Sequence, residues 1–261
     1  VVTLWKKELD VAGQAARESG RALNDLFGKI TKIGKKGEID LITEADLLSE
    51  NIIVEIISRK FPQDNILTEE SGELNRSSGR LWIVDPLDGT TNFAHNFPFF
   101  AVSIALQVNN EIVLGVVYNP FMDEYFEAIK GEGAFLNKSP IKVSQAKDLK
   151  ESLVATGFPY SVYKEPGSVI ELLKRMIVLV QGVRRPGAAS IDLCYVASGR
   201  LDGFWEEGLQ PWDTAAGSLI VIEAGGKVSN YQGEDYSPFQ KSIVAANPYI
   251  HQKMVKVLNH Y

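Results

Sequence analysis

One cysteine, Cys194, stands among 261 residues. No disulfide can close within the chain, and an oxidising compartment gains no support. Set in Ser190-Ile191-Asp192-Leu193-Cys194-Tyr195-Val196, it reads as a buried, inert thiol. Histidine is nearly as scarce. His95, His251 and His260 are the whole complement, too few for a histidine-rich zinc centre or a His-based nucleophilic triad, and His95 reads as a structural turn residue. There is no run or stripe of Lys and Arg, and the net charge is −6, so the electrostatic footprint of a nucleic-acid binder is missing. Apolar runs are short: the stretch from Met176 to Val180 falls far below the roughly 20 residues of a membrane span. Val1 to Glu8 has no apolar core of secretory type. These absences point to a soluble, cytoplasmic protein with neither a membrane nor a nucleic acid as its partner. Gly131-Glu132-Gly133-Ala134-Phe135-Leu136 lacks the last glycine of a dinucleotide signature, and no Walker-type Gly-Lys-Ser/Thr occurs.

What is present is a well-supplied core. With 45% hydrophobic and 23% charged residues, the chain suits one large or two modest globular units. Leu4, Leu9, Val11, Ala12, Ala15, Ala16, Leu23, Leu26 and Phe27 recur at helical spacing, as do Leu47, Leu48, Ile52, Ile53, Ile56 and Ile57 before Phe61-Pro62. The polar loop Gly34-Lys35-Lys36-Gly37-Glu38 lies between them. From Asn65 the texture becomes strands joined by short turns, which implies mainly antiparallel pairing. Beyond about Ser144 strands and helices alternate, and layered sheets with helices between them follow. The expected division is residues 1–143, N-terminal helices plus a mainly antiparallel sheet, and residues 144–261, an α/β half that completes the site.

Two segments carry the chemistry. Thr68-Glu69-Glu70-Ser71-Gly72 and Trp82-Ile83-Val84-Asp85-Pro86-Leu87-Asp88-Gly89-Thr90-Thr91-Asn92 place four carboxylates, a glycine and a hydroxyl where an apolar strand stops. Two negative charges about 4 Å apart repel by about 4 kcal/mol at a partly buried site. A fold that converges such groups needs a counter-charge, and Mg²⁺ fits, because it takes oxygen ligands and is commonly completed by substrate phosphate. Pro86 is expected to end the pairing of its strand. Gly89 permits backbone geometry closed to other residues, so that N–H groups at Gly89 and Thr90 can receive phosphate. Alone, Asp88-Gly89 would be an ordinary hairpin turn; Asp85, Thr90 and the Glu69-Glu70 pair shift the balance to a site. Asp213, in Gln210-Pro211-Trp212-Asp213, doubles as a candidate helix cap. Asp46, in Thr43-Glu44-Ala45-Asp46, reads equally as the closing residue of a capping box. Lys35 is a candidate phosphate contact, although most loop lysines are only solvated.

Glu69-Glu70-Ser71-Gly72, Trp82 through Asn92, and Trp212-Asp213 through Gly217 followed by Glu223-Ala224-Gly225-Gly226 resemble the inositol monophosphatase family, with a likeness that extends over nearly the whole chain. The resemblance implies a layered αβαβα sandwich, of mixed α/β and α+β character and of the inositol monophosphatase/fructose bisphosphatase type. It also implies a lithium-sensitive phosphoric monoester hydrolase that uses two or three Mg²⁺ ions, and commonly a homodimer. By matching positions, Glu69, Asp85 and the Leu87 carbonyl would hold one metal, Asp85, Asp88 and Asp213 a second, and Glu70, through water, a weaker third. Thr90 and Glu69 would orient the attacking water, with Asp46 supporting Thr90. Asp88, Gly89 and Thr90 would meet the phosphate end of the substrate, and Glu206 its hydroxyls. Gly187-Ala188-Ala189 stands where many animal members carry Gly-Thr-Ala, so a substrate-side hydroxyl is absent. The surrounding Arg184-Arg185-Pro186 looks more like bacterial members. The implied reaction is hydrolysis of inositol 1-phosphate by metal-activated water. Fructose-1,6-bisphosphatase and nucleotide 3′-phosphatase are alternatives on the same fold, and a regulatory protein-binding role is an alternative of another class.

Overall fold

The helical spacing near the N-terminus becomes one 21-residue helix, and alternating strand patterns build two separate sheets. The computed structural model describes residues 4–30, 33–35, 41–76, 78–164 and 166–259, with the side chains of Ile33, Lys35 and Ser168 outside that set. In chain order the elements are α1 (Lys6–Leu26), β1 (Ile33–Lys35), β2 (Leu41–Thr43), α2 (Glu44–Lys60), β3 (Asn65–Thr68), β4 (Gly72–Leu74), β5 (Arg80–Asp88), α3 (Thr90–Ala94), β6 (Ala101–Val108), β7 (Glu111–Asn119), β8 (Glu124–Ile129), β9 (Ala134–Leu136) and β10 (Ser139–Pro140). There follow β11 (Leu153–Thr156), α4 (Gly167–Ile177), β12 (Gly182–Arg184), α5 (Ala189–Ala197), β13 (Gly203–Glu207), α6 (Pro211–Glu223), β14 (Lys227–Ser229), β15 (Ser242–Ala246) and α7 (Pro248–Leu258).

The large sheet runs β10-β9-β8-β7-β6-β5-β3-β4 and the second runs β12-β11-β13-β15-β14. In the large sheet every pair is antiparallel except β3 with β5. Strand alternation sorts its side chains into two cores. Val102, Ile104 and Leu106 of β6 join Trp82 and Val84 of β5 beneath α1 and α2, while Ala101 and Ala105 face α5 and α6. Each large buried aliphatic of this kind contributes about 1.5–3 kcal/mol. The same alternation recurs in β13, where Phe204 faces α5 and α6 and Trp205 faces α4 and α7. The layers are therefore helix, sheet, helix, sheet, helix, the expected αβαβα sandwich.

Small residues set the spacing of the middle layer. A Cβ on Gly115 of β7 would sit 2.7 Å from the Ala216 carbonyl oxygen of α6, so only glycine lets that helix lie so close to the sheet. Helix α6 is apolar on every side and buried over Thr214 to Val221, as befits a helix between two sheets.

Three local expectations are corrected. Gly34 and Lys35 are not loop residues: they pair in β1 against β2. Leu47 and Leu48 of α2 are exposed, at 48% and 43%. The buried stripe of α2 is instead Ala45, Asp46, Ser49, Glu50, Ile53 and Ile57, because the polar members of that stripe find buried hydrogen-bond partners. Pro86 does not end β5, as the next section describes. Among the described residues, no helix is long and apolar enough to cross a membrane.

Candidate active site

Strand β5 pairs regularly with β6 from Arg80 opposite Val108 to Asp85 opposite Ser103, then shifts register and resumes at Asp88 opposite Ala101. Proline has no N–H to give the ladder, and the irregularity absorbs the missing bond. It also has a geometric effect. Residues three apart on a regular strand point to opposite faces, whereas the shift lets Asp85 and Asp88 interact electrostatically in one buried region. The Leu87 N–H donates to Asp85 Oδ1 at 3.0 Å. The chain then turns through Gly89, at φ +89°, into α3. Asp88-Gly89 is thus a strand-to-helix turn and not a hairpin. A Cβ on Gly89 would lie 2.8 Å from the Phe99 carbonyl oxygen.

Thr90 opens α3 and is held from below by α2. Its hydroxyl lies 2.9 Å from Asp46 Oδ1 and 2.9 Å from the Leu87 carbonyl oxygen. Having one proton, it donates to one of them at a time. Asp46 Oδ2 accepts from the Thr43 N–H at 2.7 Å and the Thr43 hydroxyl at 2.6 Å. The capping-box reading of Asp46 and its support of Thr90 therefore coexist, one carboxylate oxygen for each.

Glu69, Glu70 and Ser71 form the three-residue loop between β3 and β4, closed by the pairing of Thr68 with Gly72. Gly72 takes the left-handed conformation, at φ +75°, that such hairpins place at the loop end. Asp213 enters from the opposite half of the chain, in the first turn of α6. There its Oδ2 accepts from the Gln210 N–H at 2.7 Å. Gln210 is the cap and Asp213 the third helical residue of the box.

These acids act on one another. Burial raises the pKa of Asp85 well above the usual carboxylate range, and repulsion by Glu69, Asp88 and Asp213 adds to it. Burial lifts Asp88 to about 6, against two hydrogen bonds from Ser190 that lower it. Asp213 retains some exposed surface, yet its pKa too is raised well above the ordinary value, by burial first and then by Asp88. Hard oxygen donors that repel one another in a buried region are the donor set a divalent cation of the Mg²⁺ kind requires. Among the described residues, no three acid, histidine or cysteine side chains stand where they could together hold a metal ion. Mg²⁺ needs few protein ligands, since it keeps several waters and takes substrate phosphate as a ligand.

The remaining side of the region is built by the start of α5 and by β13. The Ser190 N–H and hydroxyl donate to Asp88 Oδ2 at 2.8 and 2.5 Å, and Ala188 approaches Gly89. Asn92 Nδ2 donates to the carbonyls of Pro186 and Gly187 at 2.9 and 3.3 Å. Glu206 is buried, its pKa pushed to about 8 by burial, with Arg185 opposing and Asp88 adding to the rise. Its carboxylate lies against Gly157, where a Cβ would fall 2.1 Å from Oε2. Asp192 of α5, also raised by burial and by Glu206, has an Oδ1 with no hydrogen-bond partner among the described residues. The side chain of Lys35 lies outside the described residues.

The model of the inositol monophosphatase family matches residues 5–261. The chain belongs to this family. An inositol-1-monophosphatase from Synechocystis sp. is 48% identical over 255 residues, covering 96% of this chain and 88% of the relative. The Nus factor SuhB of Escherichia coli K12 is 41% identical over 250 residues, covering 95% and 94%. The solved inositol monophosphatase of Anabaena (Nostoc) sp. PCC 7120 superposes with a TM-score of 0.90 at 42% identity, covering 98% and 97%. The chain is accordingly a phosphoric monoester hydrolase, of a family that is generally metal-dependent.

For this inositol monophosphatase family member, the sequence reading missed several residues around the acids. Ser190 is the donor pair for Asp88, and Ser49 donates to the Pro86 carbonyl at 2.5 Å. Glu50 accepts from the β3–β4 loop. A signal existed for two of them: Ser49 and Glu50 follow Asp46 by three and four residues, the spacing of one helical face. The turn position of His95 and the burial of Cys194 are as expected. His95 caps α3, His251 lies 3.0 Å from Ser229 Oγ with its pKa lowered chiefly by burial, and Cys194 is buried with its thiol pKa raised. His260 lies outside the described residues.

Proposed function

We propose that this chain hydrolyses inositol 1-phosphate to inositol and inorganic phosphate, using two or three Mg²⁺ ions held by its acid cluster. The observation that carries the reading is the simultaneous repulsion of Asp85 by Glu69, Asp88 and Asp213, three partners drawn from the β3–β4 loop, β5 and α6. The Synechocystis relative, named an inositol-1-monophosphatase, supports the substrate. In this reading Glu69, Asp85 and the Leu87 carbonyl hold one ion, Asp85, Asp88 and Asp213 hold a second, and Glu70 assists a third through water. When bound, the ions neutralise phosphate oxygens and acidify the attacking water.

The chain's own groups then position the reactants. With the Leu87 carbonyl engaged elsewhere, the Thr90 hydroxyl donates its hydrogen bond to Asp46 Oδ1, 2.9 Å away. Its oxygen is left as an acceptor that, with Glu69, aligns the water. The Gly89 and Thr90 N–H groups receive the phosphate, Gly187, Ala188 and Ala189 border it, and Glu206 accepts from hydroxyls of the departing alcohol. Water oxygen bonds to phosphorus as the ester P–O bond breaks, and the products are the alcohol and phosphate.

Phosphate release from inositol 1-phosphate, fructose 1,6-bisphosphate and adenosine 3′,5′-bisphosphate, each with Mg²⁺, with chelator and with lithium, tests this. Inositol 1-phosphate is expected to be the fastest, with turnover falling to background on chelation and reduced by lithium. Silence on all three with Mg²⁺ present would discard the reading. It would promote a regulatory protein-binding role, which the name of the Escherichia coli relative, a Nus factor, favours as the second reading.

Gly157→Ala probes the role of Glu206 without touching the acids. The added methyl would meet the far end of a flexible side chain, the Glu206 carboxylate, so the carboxylate moves and the fold survives. Loss of one hydrogen bond to the substrate of about 1–2 kcal/mol raises KM roughly tenfold with kcat little changed. Steady-state kinetics on inositol 1-phosphate measure the split. An unchanged KM would remove Glu206 from the substrate contacts.

A further inference from the structure

Three residues on one face of α2 each hold a different segment of the candidate site. Asp46 accepts from Thr90, Ser49 donates to the carbonyl of Pro86 between Asp85 and Leu87, and Glu50 reaches the β3–β4 loop. Glu50 Oε2 accepts from the Glu70 N–H at 3.0 Å, and Oε1 accepts from the Ser71 hydroxyl. Glu50 is 3% exposed. A buried carboxylate is costly unless hydrogen-bonded, and the Glu70 N–H and the Ser71 hydroxyl that donate to its oxygens both belong to the loop that bears Glu69. The parallel pairing of β3 with β5 sets Thr68 opposite Val84 and so starts the loop beside Asp85, and the pairing of Thr68 with Gly72 closes it, but Glu69, Glu70 and Ser71 lie beyond both ladders. The latch to α2 holds these three residues, and the same helix, one residue earlier, grips the Pro86 carbonyl next to Asp85.

We infer that Glu50 is a positioning residue for divalent-cation binding: by latching the Glu69–Ser71 loop onto α2 it sets where the Glu69 and Glu70 carboxylates stand relative to Asp85. The inference rests on the metal reading of the acid cluster. Partners that orient metal ligands are typically worth about ten- to a hundredfold in affinity. A glutamine at this position can keep both contacts, its amide oxygen accepting from the Glu70 N–H and its NH₂ donating to the Ser71 oxygen. An alanine keeps neither.

The test is calorimetric titration of metal-stripped full-length chain with Mg²⁺, alongside thermal melts in chelator. Glu50→Ala is expected to raise the Mg²⁺ dissociation constant about ten- to a hundredfold, and Glu50→Gln to return it to within about threefold of wild type. Ser71→Ala, at an exposed position, removes one of the two contacts and is expected to weaken binding about three- to tenfold. It serves if Glu50→Ala does not fold. A dissociation constant within about twofold of wild type in folded Glu50→Ala, or in Ser71→Ala where the former fails, overturns the inference whatever the melting temperature does. Wild-type chain that binds no Mg²⁺ overturns the metal reading itself and the inference with it.

Discussion

Asp85→Asn is expected to cut turnover on inositol 1-phosphate by about a thousandfold or more, roughly 4 kcal/mol of transition-state stabilisation, in a chain that stays folded. The replacement is nearly isosteric, and the amide oxygen can still accept from the Leu87 N–H that now reaches Asp85 Oδ1 at 3.0 Å. What disappears is the charge that the proposed scheme shares between two ions. The same substitution is expected to raise the melting temperature of the chelated protein. Asp85 is 1% exposed and repelled by three other acids, and a neutral amide there relieves both burdens. Phosphate release and thermal denaturation in chelator, measured on one preparation, give both signs. Wild-type turnover, or a lower melting temperature without metal, would break the assignment.

The second large effect concerns pH. Stripped of metal, the protein is expected to be more stable near pH 5 than near pH 8. Asp88 and Glu206 have pKa values raised to about 6 and about 8 from ordinary values of 3.8 and 4.5, so the fold keeps their protons where the unfolded chain has lost them. The stability they lend is complete below the ordinary values and is lost as pH rises through about 6 for Asp88 and about 8 for Glu206. Each proton held only by the fold is worth about 1.4 kcal/mol per pH unit. Denaturant unfolding in chelator across this range measures the slope. Glu206→Gln, which cannot ionise, is expected to flatten the part between about pH 6 and pH 8. Mg²⁺ should restore stability most at the alkaline end, where it no longer competes with protons for the carboxylates. A flat profile in the chelated wild type would contradict the raised values.

The residues that announced themselves in the sequence are those whose local pattern is unusual. Asp85 follows an apolar strand, Asp88 precedes glycine, and Asp213 sits after Pro211-Trp212 at the mouth of a helix apolar on all sides. The layers were legible for a similar reason: β6 alternates small and large side chains, and helices α5 and α6 lack a polar face. What periodicity could not show are relations between distant segments. Spacing groups Leu47 and Leu48 with the apolar set of α2 and marks nothing at Ser49 or Glu50, because burial here is decided by partners at residues 70, 71, 86 and 90. The register shift across Pro86 depends on β6, and the contact of Glu206 with Gly157 joins segments nearly 50 residues apart. The short elements β1, β2, β4 and α3 are too brief to leave a recognisable period.

Gly115 and Ala216 touch backbone to backbone, and this contact docks the helix that brings Asp213 onto the sheet that carries Asp85. Under the proposed scheme, a chain whose α6 has not docked has its acids scattered and holds no ion between them with which to attack phosphate esters. In that scheme competence to cleave arrives only once α6 has docked against β7.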